Sequence, residues 1–292
     1  MDRFIKLQNN GINMGISDGF LYVRNGKHMQ KFDLLTRKET ARAQIFKKDG
    51  KARSFFIFGG KIFMRDFCDL YELRCDTLEV LRRWKLGDDT SSDICAIGGD
   101  EGKVYACIRG GNMIVVDLPA GGLSQYRISD ASMWDIVIVS SFIYVCCVSG
   151  EVIALNKSDM SVARKQRIHK KNIYSMLLDG DILYTTSQDG CLNATDIATF
   201  VTVRSVKKAV SNMSVIVGMH ENILVTSNPS RNEVTLWDAN DLNMKGTVSF
   251  PTGGLGNGGI VINGGAIYGS DREGVYVEEA RRVLRPGTTL SF

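Results

Sequence analysis

Few side chains in this chain have types and spacings suited to chemistry. Three histidines, at 28, 169 and 220, are a thin supply for proton transfer, and they fall far apart in sequence. The seven cysteines (68, 75, 95, 107, 146, 147 and 191) include no CxxC or other zinc-type spacing. Their odd number and apolar surroundings predict free thiols of a reducing compartment rather than a disulfide framework. Cys146 and Cys147 are adjacent in a strand-like run, which points them to opposite faces and argues against a vicinal disulfide. No GxSxG, HExxH, Walker or EF-hand pattern occurs. The glycine-rich GGLGNGG at 253–259 has no following Lys-Ser/Thr and no helix to open, so it is expected to be a connection. Asp66, Asp93, Asp135 and Asp271 are the carboxylates that a metal would have to use, but carboxylates are also common turn residues. No catalytic residue, metal or cofactor is therefore assigned.

What positions these residues is a repeat. A turn residue, an aliphatic and then usually an aromatic recur as GFLYV, GKIFM, GKVYA, SFIYV, DILYT, NILVT and GAIYG. The aromatic position falls at Tyr22, Phe63, Tyr105, Tyr144, Tyr184, Val225 and Tyr268, at intervals of 41, 42, 39, 40, 41 and 43. About eleven residues later a second series ends an apolar run in a polar residue: Asp33, Arg74, Asp117, Asn156, Asp196, Asp238 and Glu278. Two series in register give seven copies of about 41 residues.

Each copy reads as four short strands. In 174–206, YSMLL, ILYTTS, CLNATD and FVTVRSV are separated by DGD, a QDG turn and a short linker, with no helical period. One such sheet cannot bury both of its faces, but radial repetition can. The expectation is an all-β, seven-bladed β-propeller of four-stranded antiparallel blades in a single domain, 1–292. Its approximate blades are 10–48, 49–90, 91–130, 131–169, 170–209, 210–252 and 253–285. Residues 1–8, containing RFIKLQ, are expected to supply the outer strand of the last blade and so close the ring. The periodic aromatics are expected between blades.

In this frame the fifth copy resembles a WD-repeat: His169 precedes the inner strand, Ser187-Gln188-Asp189-Gly190 forms a turn, and an apolar run ends in Asp196. The sixth carries Trp237-Asp238 in register, whereas Trp134-Asp135 is out of phase. The other copies keep the frame without the Trp. The chain is also similar to quinoprotein-like propeller repeats, although only Trp84 could serve as their docking tryptophan. The WD resemblance implies a structural role for His169, while the rigid repeated frame, the poor catalytic inventory and the lack of a cofactor motif point to a non-catalytic scaffold of WD-repeat type.

Residues that break the repeat mark the expected binding surface. Before the inner strands stand Arg53, Trp134 and Tyr174; at turns between second and third strands stand Arg24, Arg65, Arg109, Arg231 and Arg272. Arg and Trp are favoured at binding hot spots. These eight are assigned to a partner protein or peptide, an acidic one among the candidates. A second basic run, RKQRIHKK at 164–171, suits either an acidic partner or ordinary protection of an exposed strand edge. The alternative is an enzyme or small-ligand or metal binder using the channel mouth. The net charge of +4 makes nucleic acid the weaker option. The uncharged apolar stretch of 15 residues between Asp135 and Glu151 is too short for a membrane helix, which needs about 20. MDRFIKLQNN has no apolar signal core. A monomeric cytoplasmic protein is expected.

Overall fold

The computed structural model describes residues 2–6, 12–46, 54–88, 93–100, 102–211, 213–229, 231–250, 259–270 and 274–279. Among these residues every regular element is a strand. β1 is Asp2–Lys6. The first blade is β2 (Ile12–Ser17), β3 (Phe20–Asn25), β4 (His28–Asp33) and β5 (Glu39–Gln44); the second is β6 (Phe55–Phe58), β7 (Lys61–Asp66), β8 (Asp69–Arg74) and β9 (Val80–Lys85). The third is β10 (Ile94–Asp100), β11 (Lys103–Ile108), β12 (Asn112–Asp117) and β13 (Leu123–Arg127). The fourth is β14 (Met133–Ile138), β15 (Phe142–Cys147), β16 (Glu151–Asn156) and β17 (Val162–Arg167). The fifth is β18 (Ile173–Asp179), β19 (Ile182–Ser187), β20 (Leu192–Asp196) and β21 (Thr202–Val206). The sixth is β22 (Ile216–His220), β23 (Ile223–Asn228), β24 (Glu233–Asp238) and β25 (Met244–Ser249). The last is β26 (Ile260–Asn263), β27 (Ala266–Ser270) and β28 (Gly274–Glu279).

Six sheets run in chain order, and the seventh has the order β1-β28-β27-β26. β1 thus pairs antiparallel with β28, Asp2 opposite Val277 and Lys6 opposite Gly274, as expected of the N-terminal segment. The fold is an all-β, seven-bladed β-propeller. The described residues fall into two compact units, within Met1–Arg53, Arg74–Val80 and Met213–Phe292 for one and Ser54–Leu73 and Leu81–Asn212 for the other.

Burial within a blade follows the sequence. The second and third strands are covered on both faces, so β15 (FIYVCC) and β16 (EVIALN) are nearly continuous apolar runs rather than alternating ones. The outer β17 (VARKQR) is exposed throughout. The periodic aromatic positions are all buried, as expected of residues filling equivalent gaps in the sheet packing. Tyr22 also donates its hydroxyl to the Cys75 carbonyl at 3.3 Å.

The polar series closes the turn between the third and fourth strands. Asp117 and Asp196 accept the backbone N–H groups of Ala120 (2.8 Å) and Thr199 (2.7 Å). Four residues on, the chain bonds back to the same residue's carbonyl, as from Met160 to Asn156 and from Leu242 to Asp238. The closing position has positive φ, and apolar Leu78, Met160, Phe200 and Leu242 occupy it. Each is buried, and burial of a large apolar side chain offsets a cost of about 1–2 kcal/mol for that backbone.

His169 is buried at the start of the fifth blade, with Nδ1 3.1 Å from Asp189 and Nε2 2.8 Å from the Thr185 hydroxyl. Burial lowers its pKa below the usual imidazole range, against the pull of Asp189. In the sixth blade the Trp237 indole donates to Thr226, at 2.9 Å. The seven cysteines are free, and Cys146 and Cys147 reach different partners, the Ile173 carbonyl and the Ser129 hydroxyl. Burial raises both thiols, Cys147 to about 11, which keeps them protonated and unreactive.

Candidate interaction surface

Trp134 and Tyr174 reach one another through a repeated irregularity of the inner strands. The register slips between Ile94 and Ala96, Met133 and Asp135, Ile173 and Ser175, and Ile216 and Gly218. Each slip skips one position in the Cα register: Cys95, Trp134, Tyr174 and Val217. A bulge re-aims its side chain out of the pleat. In the fourth and fifth blades the re-aimed residues are aromatic, and their ring centroids lie 6.2 Å apart at 77°, an edge-to-face pair. Trp134 remains 41% exposed.

Two glycines hold the loops that lead to this pair. Gly111 accepts backbone bonds from Ile128 and Ser129, just before Trp134, and Gly150 accepts them from Ile168 and His169, just before Tyr174. Both glycines have positive φ, and a Cβ on either would sit 2.1 Å from the Ser129 oxygen or 2.3 Å from the His169 oxygen.

Beside the pair, Asp135 accepts N–H groups from Met176 at 2.8 Å and from Ile136 at 2.9 Å, and a bond from Ser175. Burial nevertheless pushes its carboxyl up to about 6; these bonds and the nearby Arg65 guanidinium only partly oppose the rise. A carboxyl raised on folding binds its proton more tightly in the folded state, so it favours folding at low pH. That contribution is lost as pH rises from the ordinary value near 3.8 through about 6. Carbon-13 NMR titration of the Asp135 carboxyl should give a midpoint near 6, and Arg65→Met should raise it. A midpoint at the ordinary value would contradict the assignment.

The arginines are distributed differently from expectation. Arg65 donates through Nε to the Ser54 hydroxyl at 2.9 Å and also bonds the Ile94 carbonyl, so it ties the second blade to the third. Arg109 lies against Asp93 at 3.4 Å. In the other unit, Arg24 is fully buried with its guanidinium 4.2 Å from the Phe46 ring centre, and exposed Arg231 is 3.6 Å from Glu233. Burial takes Arg24 out of reach of a partner. Arg53, Arg272 and Asp271 lie outside the described residues. Among the described residues no three His, Cys, Asp or Glu side chains come together as a metal set, and no helix is long and apolar enough to cross a membrane.

One feature escapes the sequence: a cleft of about 860 Å³ lined by Phe58, Asp100, Lys103, Tyr105, Phe142 and Lys157, among others. Asp100 and Lys157 form an ion pair in it. The Tyr105 hydroxyl is buried without a hydrogen-bond partner, and burial, with the Asp100 charge, pushes it up to about 12. In the sequence Tyr105 is simply one of the periodic aromatics.

No family model matches the chain, and no curated protein is similar to it. Solved structures are: 1764 chains match, among them the computationally designed Ika8 protein, at a TM-score of 0.71 and 11% identity over 95% of this chain and 99% of that one. At that identity the likeness establishes the fold, and so widespread a fold does not choose a function.

Proposed function

We propose that the protein is a non-catalytic interaction scaffold of the WD-repeat type that binds a partner protein or peptide through the loops before its inner strands. The observation that carries this reading is the Trp134–Tyr174 pair, an edge-to-face aromatic cluster with Trp134 exposed and Tyr174 half-buried, placed on bulges and beside docked loops. Aromatic anchors of this kind supply much of the energy of a protein interface. The His169–Asp189–Thr185 relay and the Trp237–Thr226 bond support the WD-type label, because together they supply the hydrogen bonds expected of that repeat, divided between two blades. We place the protein in the cytoplasm, as a monomer outside its complex.

The test is quantitative capture from native cell extract. The double variant Trp134→Ala, Tyr174→Ala should lose the wild-type partner by about 30-fold, the equivalent of ~2 kcal/mol, with an unchanged melting temperature. Leu123→Ala, at another exposed apolar position, should not. Undiminished capture by the double variant would remove these aromatics from the interface.

A further inference from the structure

The basic run 164–171 divides in the structure into cations that serve the fold and cations that do not. Arg164 bonds the Ala198 carbonyl and lies over the Phe200 ring, 5.2 Å from its centre. Lys165 pairs with Glu151 at 3.3 Å, and His169 is buried in its relay. Arg167, Lys170 and Lys171 are exposed. None of the three forms an ion pair with a described residue; Glu151 is held by Lys165 and Ser149 and also feels the Arg167 charge opposite it, and Asp189 is held by His169 and the Lys170 N–H.

A second group of cations joins them through one turn. The turn at 188–191 bonds backward, from the Gln188 N–H to the Asn172 carbonyl at 2.8 Å, and forward, from the Ala209 N–H to the Gly190 carbonyl at 3.0 Å. The Lys208 Cα lies 3.8 Å from where a Gly190 Cβ would be. The Lys207 ammonium is close enough to act on the Cys191 thiol. Lys207 and Lys208 are also exposed and without ion pairs among the described residues. Four cations without an ion pair among the described residues, Lys170, Lys171, Lys207 and Lys208, therefore flank one turn from both sides. The second loop of the group, from Lys170 through Asn172, leads directly into Tyr174.

We propose that this patch, formed by Lys170, Lys171, Lys207 and Lys208, binds an acidic peptide segment of the partner. The proposal rests on the interaction reading above and supplies the chemistry of what binds. Unpaired, solvated ammonium groups at this density repel one another and gain most from carboxylates brought between them. A peptide suits the site better than a nucleic acid for two reasons. Asp189 and Glu151 stand among the cations, and spaced acidic side chains can avoid them where a continuous phosphate backbone cannot. Next to the cations, β21 is an outer strand that among the described residues pairs with β20 alone, so its other edge offers main-chain donors and acceptors to an extended peptide.

The experiment is fluorescence anisotropy on the full chain with a labelled oligoglutamate peptide. Reversing Lys170, Lys171, Lys207 and Lys208 to Glu should weaken binding by on the order of tenfold or more. A control with the same net charge, reversed at Lys38, Arg74, Lys85 and Lys103, should bind like wild type. Because the probe has no apolar side chain, the Trp134→Ala, Tyr174→Ala variant should also bind it normally, so this proposal and the aromatic reading fail separately. No binding, equal loss in the control, loss in the aromatic variant, or tighter binding of a labelled single-stranded oligonucleotide would each overturn the assignment.

Discussion

A chain lacking residues 2–6 should melt on the order of 10 °C or more below the intact protein. β1 is the outer strand of a sheet whose other three strands come from the opposite end of the sequence. Its removal strips the ladder from Asp2↔Val277 to Lys6↔Gly274 and exposes one edge of β28, on which Val275 and Tyr276 are buried. A bare edge is both a loss of hydrogen bonds and a template for pairing with other chains, so aggregation should accompany the lower melt. The loss is also topological. β1 is the only described strand that pairs far from its place in the chain, and its pairing ties the two ends of the sequence into one sheet. Differential scanning calorimetry measures the effect, and a synthetic peptide of residues 1–8 added in trans should restore part of it. An unchanged melt would mean that the pairing contributes nothing to stability.

That pairing was legible because the last copy offers only a weak fourth strand, RRVLR, and the chain begins with a strand-like piece. The blades were legible for a related reason: two periodic series report different physical demands. Tyr105 and its equivalents fill buried gaps, while Asp117 and its equivalents cap a turn, so both recur at each copy regardless of function. The site was legible only in part. Trp134 and Tyr174 stand out because they interrupt the pattern, and the structure brings them together. Arginine at a turn carries no such information: Arg65 folds back onto the Ile94 carbonyl and Arg24 stacks under cover on Phe46, and a sequence cannot distinguish these from an outward arginine. Lys207 and Lys208 were missed for the converse reason. They are 36 or more residues from Lys170 and Lys171 and become their neighbours only because a turn at Gly190 is hydrogen-bonded on both sides.

Gly150→Val should be the most damaging single substitution of those considered, costing roughly 3–5 kcal/mol, and Gly111→Val should match it. Two independent penalties combine. The backbone at Gly150 has φ +82°, which strains any side chain and a β-branched one most. The new Cβ would also lie 2.3 Å from the His169 oxygen and 2.9 Å from the Lys171 oxygen, both backbone atoms that cannot turn aside as a side chain can. The structure can relieve the contact only by lifting the loop from Ile168 to Lys171, which breaks the two bonds to the Gly150 carbonyl and displaces His169 from Asp189. Gly190→Ala is the internal comparison: it has the same φ of +82°, but its Cβ would meet nothing closer than 3.7 Å. It should cost only about 1–2 kcal/mol, the backbone penalty alone. Chemical denaturation of the two variants separates strain from collision, and equal losses would mean that the close approach at Gly150 is not what fixes the loop. Because that loop leads to Tyr174 and carries Lys170 and Lys171, a folded remnant of Gly150→Val at low temperature should also bind oligoglutamate poorly, whereas Gly190→Ala should bind it normally.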